Sequence, residues 1–503
     1  MNATRNAPPG AIGGIAGSGT IAALLAGAAA ALVGCAVGPS YVAPTAPAPA
    51  GTQFAASTPA VASAEQPPAN WWQLYGTPAL DQLVQSALTH NKSLLVAAAN
   101  LAEARAALTL AQTGLFPSTT LSAGAQYGVS PDTAFAQQLE HLGPARPSMG
   151  YSVGLDVSYE VDLFGRIRRT VQAARADYEA QRAAQDVARI SVAGETTRAY
   201  VNACAYAQQL DVAQHSLDIV TQNYELTLSQ ANAGAATDFD VARARELMAQ
   251  VRATLPTYEG ERRTALFELA VLTGLPPEQI SQDADACKSP PVLKRVLPIG
   301  DVGALLKRRP DVRQAERELA ANVARIGIAA ADLYPTITIG GSAASSSNTL
   351  RGLGSRRNFS YGIGPLLSWS FPNIAAALAE IREARATASA AYASFQAAVL
   401  QALQDTETAL TAYGNELDRN AALLDARDQS QIAFSLAQSE FELGRISYLD
   451  VLTAETDLVN TDATLAASAQ ALASDQVTVF KALGGGWEQA PDIEPLPIND
   501  HRP

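Results

Sequence analysis

The sequence predicts a mainly α-helical chain that also carries four β-strands, with one run of elements present twice. Three observations predict it. Two proline-free runs, Ser148 to Leu255 and Asn373 to Ala490, leave room for helices far longer than globular ones. Four segments of about ten residues alternate apolar with small or polar side chains, the period of a strand with one greasy face. His90 to Pro117 also aligns without gaps on Arg308 to Pro335. The composition agrees: of 503 residues 48% are hydrophobic, much of that alanine, and only 17% are charged.

Composition also excludes several classes. A net charge of -13 argues against a nucleic-acid-binding face, which must be basic. Three cysteines cannot build a disulfide scaffold or a four-thiolate metal site. Cys204 and Cys287 could pair in an oxidising compartment, yet one lies mid-helix and the other in a linker, so two small buried or loop thiols are the favoured expectation and the pairing stays open. His90, His141, His215 and His501 lack ligand spacing, so neither a metal site nor a cofactor is expected. No Gly-x-Ser-x-Gly, His-Glu-x-x-His or credible Ser/His/Asp set occurs, and the chain does not read as an enzyme.

In chain order, Ala11 to Val33 is uncharged, rich in Ala, Leu and Ile, and follows Arg5, the layout of a secretory signal. It closes on Leu32-Val33-Gly34-Cys35, which resembles the bacterial lipobox. That resemblance implies removal of residues 1–34, a diacylglycerol on the Cys35 thiol and an acyl cap on the new amino group. Such chains anchor firmly, at about 0.8 kcal/mol per buried methylene. Ala36 stands where lipoproteins kept in the inner membrane have Asp, which implies sorting to the outer membrane. Residues 36–70, rich in Pro, Ala, Ser and Thr, read as an extended linker unable to order itself. No later stretch is expected to approach the roughly 20 apolar residues of a spanning helix.

The duplicated region comes next. Leu94, Leu101, Leu108 and Leu115 fall seven apart, as do Val312, Leu319, Ile326 and Leu333. Three residues on, Ala97, Ala104 and Ala111 match Ala315, Asn322 and Ala329. A bulky seam beside a small one lets heptad helices pack closely. Both copies stop at a proline, Pro117 and Pro335, which cannot continue the helical ladder. Pro310 suits a first helical position, with Asp311 near the helix's positive end.

After each stop the period changes to two. Leu121, Ala123, Ala125, Tyr127 and Val129 oppose Ser and Gly, with Gln126 among them. Tyr151, Val153, Leu155, Val157, Tyr159 and Val161 oppose Ser152, Gly154, Asp156, Ser158, Glu160 and Asp162. Thr336 to Ala343 alternates more weakly. Phe359, Tyr361, Ile363, Pro365, Leu367, Trp369 and Phe371 complete the set, with Leu366 the one exception opposite. Beyond each pair of strands a helix of about 70 residues is expected, then a turn at Gly234 or Gly444 and a returning helix of about 35. At 1.5 Å per residue the longer helix spans roughly 100 Å.

Four strands cannot close a barrel, since the smallest closed ones have about eight. Open edges are not tolerated in lipid, where each unpaired backbone group costs several kcal/mol. If the strands span a membrane, several copies must share one barrel, and the attached helices continue the ring as a tube.

Several motifs in order resemble one family. They are Cys35-Ala36-Val37-Gly38-Pro39-Ser40-Tyr41 with Pro44, Trp71-Trp72 with Leu74-Tyr75, and Asp162-Leu163-Phe164-Gly165-Arg166. Leu305-Leu306 with Arg309-Pro310-Asp311-Val312 and Lys481-Ala482-Leu483-Gly484-Gly485-Gly486-Trp487 follow. The chain resembles the TolC-type outer-membrane efflux channels, in the lipoprotein branch typified by OprM and NodT. The resemblance implies a homotrimer with a 12-strand β-barrel in the outer-membrane lipid and a long coiled α-helical barrel in the periplasm. It implies an equatorial belt formed from the segments around Gly274 to Val302 and the C-terminus, and as partners a periplasmic adaptor (membrane fusion) protein and an inner-membrane pump of the resistance-nodulation-division type. The expected division is a leader (1–34), a lipid-linked tether (35–78), a first repeat (79–275, hairpin 118–162) and an equatorial linker (276–300). A second repeat (301–487, hairpin 336–371) and a tail (488–503) follow.

The resemblance further implies a periplasmic gate just after Gly444, at Leu449, Asp450 and Thr453. Thr453 stands where relatives more often carry aspartate. Asp450 either lines an aperture, where like charges from three copies would raise its pKa, or caps the returning helix. Asp162 to Arg166 reads as a turn in which Gly165 permits close packing. Two other roles stay open at this point: the outer-membrane channel of a type I secretion system, and a non-conducting structural lipoprotein.

Overall fold

The computed structural model describes residues 36–45, 53–57, 61–129, 135, 139, 146–291, 293, 296–371 and 374–495. The leader, Cys35 and most of the loop after Val129 lie outside them. The elements in order are β1 (Ala62–Ser63), α1 (Pro78–His90), α2 (Lys92–Thr113), β2 (Ser118–Gly128), β3 (Ser148–Val161) and α3 (Arg166–Asn232). Next come α4 (Asp238–Leu272), α5 (Gln282–Asp285), β4 (Leu297–Pro298), α6 (Val302–Arg308) and α7 (Pro310–Ala331). β5 (Thr336–Ser347), β6 (Phe359–Ser368), α8 (Ile374–Glu442) and α9 (Tyr448–Ala482) complete the chain. The long helices have 67 and 69 residues, and each returning helix has 35. α4 runs through Pro256, so the end of the first proline-free run is not a helix end.

The chain forms two units. The first, whose described residues fall within 36–42, 107–175 and 320–389, holds one antiparallel sheet in the order β2-β3-β5-β6. Its register gathers the alternating residues onto one face: Leu121 opposes Leu155, Leu155 opposes Ala343, and Ala343 opposes Tyr361. Ile363 and Tyr361 on that face are 84% and 82% exposed, so the apolar side is bare in a single chain. Leu366 falls on the polar face, opposite Thr338. β2 and β6 each have one unpaired edge.

At the helix-proximal end of this sheet, every residue of Asp162-Leu163-Phe164-Gly165-Arg166 has an identifiable contact, Leu163 through its N–H to the Val161 carbonyl at 2.8 Å. The Asp162 carboxylate accepts from the backbone N–H groups of Ile167 and Arg168, both at 2.9 Å, satisfying open donors at the start of α3. Phe164 stacks on Tyr334 at 4.5 Å, and Arg166 pairs with Glu160. Gly165 has φ +82°, and a Cβ there would lie 2.6 Å from the Cβ of Ala36. A Cβ on Gly38 would meet Gly327 Cα at 2.6 Å, and Arg169 donates to the Gly38 carbonyl at 3.3 Å. The segment after Cys35 is therefore seated in a groove that only glycines leave open.

The second unit is helical, with its core around Trp71, Trp72, Leu80, Leu88, Leu266, Leu410 and Phe480. Trp71 stacks on Phe480 at 4.8 Å, and Gly485 and Gly486 pack against the two tryptophans, so two motifs distant in sequence meet. Three expectations are corrected here. Cys204 and Cys287 are not separate thiols but a disulfide, Cα to Cα 5.1 Å, because the linker folds back onto the middle of α3. The tether is extended but not free: Phe54 and Val61 are buried, Ala55 and Ala56 donate to the Glu407 carboxylate, and Ala62–Ser63 pairs in parallel with Leu297–Pro298. Pro78 to Thr113 is long and apolar enough, by composition, to cross a bilayer. However, Leu80, Val84, Leu88 and Leu94 bury into the protein core, and the helix breaks at Asn91.

Arg309, beside the expected helix start at Pro310, is also more than punctuation. Buried, it pairs with Asp311 at 2.6 Å and Asp405 at 3.1 Å, and donates to the Ala482 carbonyl at 3.1 Å. It ties α8 and the end of α9 to the start of α7, and the two carboxylates hold its charge against the cost of burial.

Candidate functional site

The two helical turns of the second unit are built alike. At each, a glycine in the left-handed region ends the long helix: Gly234 with φ +79° and Gly444 with φ +71°. The next N–H reaches back five residues, Ala235 to the Gln230 carbonyl at 2.8 Å and Arg445 to the Glu440 carbonyl at 2.9 Å. A capping box then starts the returning helix. Asp240 accepts from Thr237 N at 2.9 Å and Thr237 Oγ1 at 2.7 Å; Asp450 accepts from Ser447 N at 2.9 Å and Ser447 Oγ at 2.7 Å.

This geometry gives each expected gate residue a definite environment. Leu449 is 45% exposed, and its counterpart Phe239 is 65% exposed, so both tips present an apolar side chain to solvent. Asp450 is exposed, and its hydrogen bonds from Ser447 hold it below the usual carboxylate range. Within one chain, then, Asp450 is the cap. Thr453 turns its hydroxyl back onto the Leu449 carbonyl at 2.8 Å and presents no charge. The three side chains share the first turns of α9.

One group the sequence reading missed lies just beyond them. Glu455 is 1% exposed, sits among the apolar residues Leu452, Leu458 and Val459 of α9, and accepts from Asn223 Nδ2 of α3. Burial pushes its carboxyl up to about 7, only partly offset by that hydrogen bond. Tyr448 is raised chiefly by burial, and the nearby Glu455 and Asp240 carboxylates push it the same way. The signal was available: an acid at a position whose neighbours three and four residues away are apolar lies on the buried stripe.

α9 joins both long helices through polar contacts. Gln470 accepts from Gln209 at 2.6 Å on α3, Lys481 pairs with Glu195 at 2.7 Å, and Asp462 pairs with Arg427 of α8 at 2.9 Å. Among the described residues, no group of three or more His, Cys, Asp or Glu side chains is arranged to hold a metal ion.

Comparison with known proteins agrees with this architecture. The sequence model of the family described as outer membrane efflux protein matches residues 83–275 and 302–485. Nodulation protein T of Rhizobium leguminosarum bv. viciae is 30% identical over 468 residues, 91% of this chain and 92% of that protein. The solvent efflux pump outer membrane protein SrpC of Pseudomonas putida is 30% identical over 419 residues, 82% of this chain and 87% of its own length. Among solved structures, the outer-membrane channel OprN matches with a TM-score of 0.83 at 32% identity, over 90% of this chain and 100% of that one. The open state of the MtrE outer membrane channel of Neisseria gonorrhoeae matches at 0.78 with 26% identity, over 92% and 100%. The chain belongs to the outer membrane efflux protein family and is an outer-membrane efflux channel.

Proposed function

We propose that the chain is the exit duct of a tripartite efflux system, passively conducting cargo received from a periplasmic adaptor and an inner-membrane pump of the resistance-nodulation-division type. One observation carries the reading: a four-stranded sheet with an exposed apolar face and an open edge on each side. Lipid satisfies the face, but only another copy can satisfy the edges. A homotrimer joining β6 of one copy to β2 of the next closes a 12-strand barrel, wide enough for a lumen. The equal lengths of α4 and α9, and the twin capping boxes, support an internal duplication that lets six similar helical hairpins complete the tunnel. Cys35 carries the lipid anchor after removal of residues 1–34. The division into tether, two repeats, linker and tail follows the ranges read from the sequence. Relatives named for solvent, toluene and pyoverdine support a duct whose cargo is selected elsewhere.

The gate in this reading is formed by Leu449, Asp450 and Thr453 from three copies, with Leu449 as an apolar ring. Asp450 serves as cap within its chain and as charge toward the axis. The test is conductance of the purified protein in planar bilayers. Leu449→Ala combined with Asp450→Ala should raise single-channel conductance; equal conductance of variant and wild type rejects the gate. A purified protein that gives no channels at all, as a monomer, rejects the duct.

A further inference from the structure

The second hairpin has an uneven charge distribution. Between Thr336 and Phe371 the only charged side chains are Arg351, Arg356 and Arg357, in a chain whose net charge is -13. All three are exposed, and among the described residues none meets a carboxylate. They lie in the connection from β5 to β6, at the end of the sheet away from the helices. This connection is not a slack loop. Two short 3-10 turns, Leu350–Gly352 and Arg356–Asn358, are tied together by Asn358 Nδ2 donating to the Gly352 carbonyl at 2.9 Å, and Ser345 Oγ donates to the Leu353 carbonyl. The backbone therefore holds three guanidinium groups on a fixed base.

Their height is set by the residues beside them. Phe359 and Tyr361 stand on the apolar face at this end of β6, ring centroids 6.2 Å apart, and Tyr127 occupies the same end of β2. Exposed aromatic rings at strand ends mark the boundary between acyl chains and headgroups. Arg357 is two residues from Phe359, so the arginines begin where the aromatic belt ends. A guanidinium binds phosphate through two parallel hydrogen bonds, and each basic side chain near an anionic surface adds to the attraction.

We propose that Arg351, Arg356 and Arg357 form an anion-binding collar that takes the phosphate groups of glycolipid headgroups in the outer leaflet. It rests on the reading of β2, β3, β5 and β6 as membrane strands with this connection outside. No residue of the collar belongs to the gate, the anchor or the helical core.

The test uses the full-length protein purified in one detergent, as wild type and as Arg351→Gln/Arg356→Gln/Arg357→Gln. Lipid retention is measured by native mass spectrometry with bisphosphorylated lipid A, with the same lipid after dephosphorylation, and with inorganic phosphate as competitor. The wild type should retain the bisphosphorylated form roughly tenfold or more better than the dephosphorylated one, a preference the triple variant loses. Equal retention of the two lipids by the wild type, or an unchanged preference in the variant, overturns the proposal. Displacement of the lipid by micromolar inorganic phosphate also overturns it, since the collar would then be a site for free anions. Single-channel conductance is recorded on both proteins. Intact conductance with no lipid preference sinks the collar alone, whereas absence of channels in both sinks the duct.

Discussion

Replacing Glu455 with glutamine should stabilise the contact between α3 and α9 at neutral and alkaline pH and leave it unchanged in acid. The carboxyl is buried and titrates near 7, against an ordinary value of 4.5. A raised carboxyl binds its proton more tightly in the folded state. Its favourable contribution is therefore complete below pH 4.5, erodes as pH rises from 4.5 toward 7, and is gone above that. At about 1.4 kcal/mol per pKa unit, the ionised form costs about 3 kcal/mol per chain by pH 9, a few hundredfold in the local opening equilibrium. Glutamine keeps an oxygen for Asn223 Nδ2 and carries no charge, so it removes that cost. Tyr448 of the same helix is the titratable side chain beside it, itself raised by burial. Amide hydrogen exchange over residues 215–230 and 445–460, corrected for intrinsic rates, measures it. Wild-type protection should fall between pH 5 and pH 9 while that of Glu455→Gln stays level. Parallel profiles for the two proteins would refute a titrating carboxyl at this contact.

Other perturbations test separate parts of the fold. Cys204→Ser with Cys287→Ser opens a crosslink across 83 residues and should lower unfolding stability by about 2–5 kcal/mol, read by denaturant titration. Gly165→Val adds a side chain where Ala36 sits and φ is +82°, so residues 36–42 should become cleavable by protease while the helical signal in circular dichroism is retained. Thr237→Ala and Ser447→Ala each remove a capping hydroxyl and should cost about 1 kcal/mol, seen as faster exchange in the first turn of α4 or α9 respectively.

The strands were legible because each carries a single signal, period two, and neighbouring strands confirm it through their register. Leu366 breaks the rule and does lie on the polar face. The long helices were legible from missing prolines and from Gly234 and Gly444, although Pro256 inside α4 shows that a proline can be carried by a helix held on other sides. What depends on distant partners was not readable. The Cys204–Cys287 bond needs a linker to return to mid-helix, and the seating of residues 36–38 needs Gly165 against Ala36 and Gly327 against Gly38, from separate segments. Arg309 looked like part of a helix-start motif because its partner Asp405 and the Ala482 carbonyl are far along the chain. For Asp450 the sequence left two roles open, and the hydrogen bonds from Ser447 show that it caps the returning helix.

That capping role has an electrical consequence. A carboxylate clasped by a backbone N–H and a hydroxyl gives up its charge less readily than a free one. The tip of α9 thus keeps its negative pole further into acid than an ordinary carboxylate would, whereas Glu455 a turn and a half away responds nearer neutrality. Steadier potential and adjustable packing are divided between two acids on one helix.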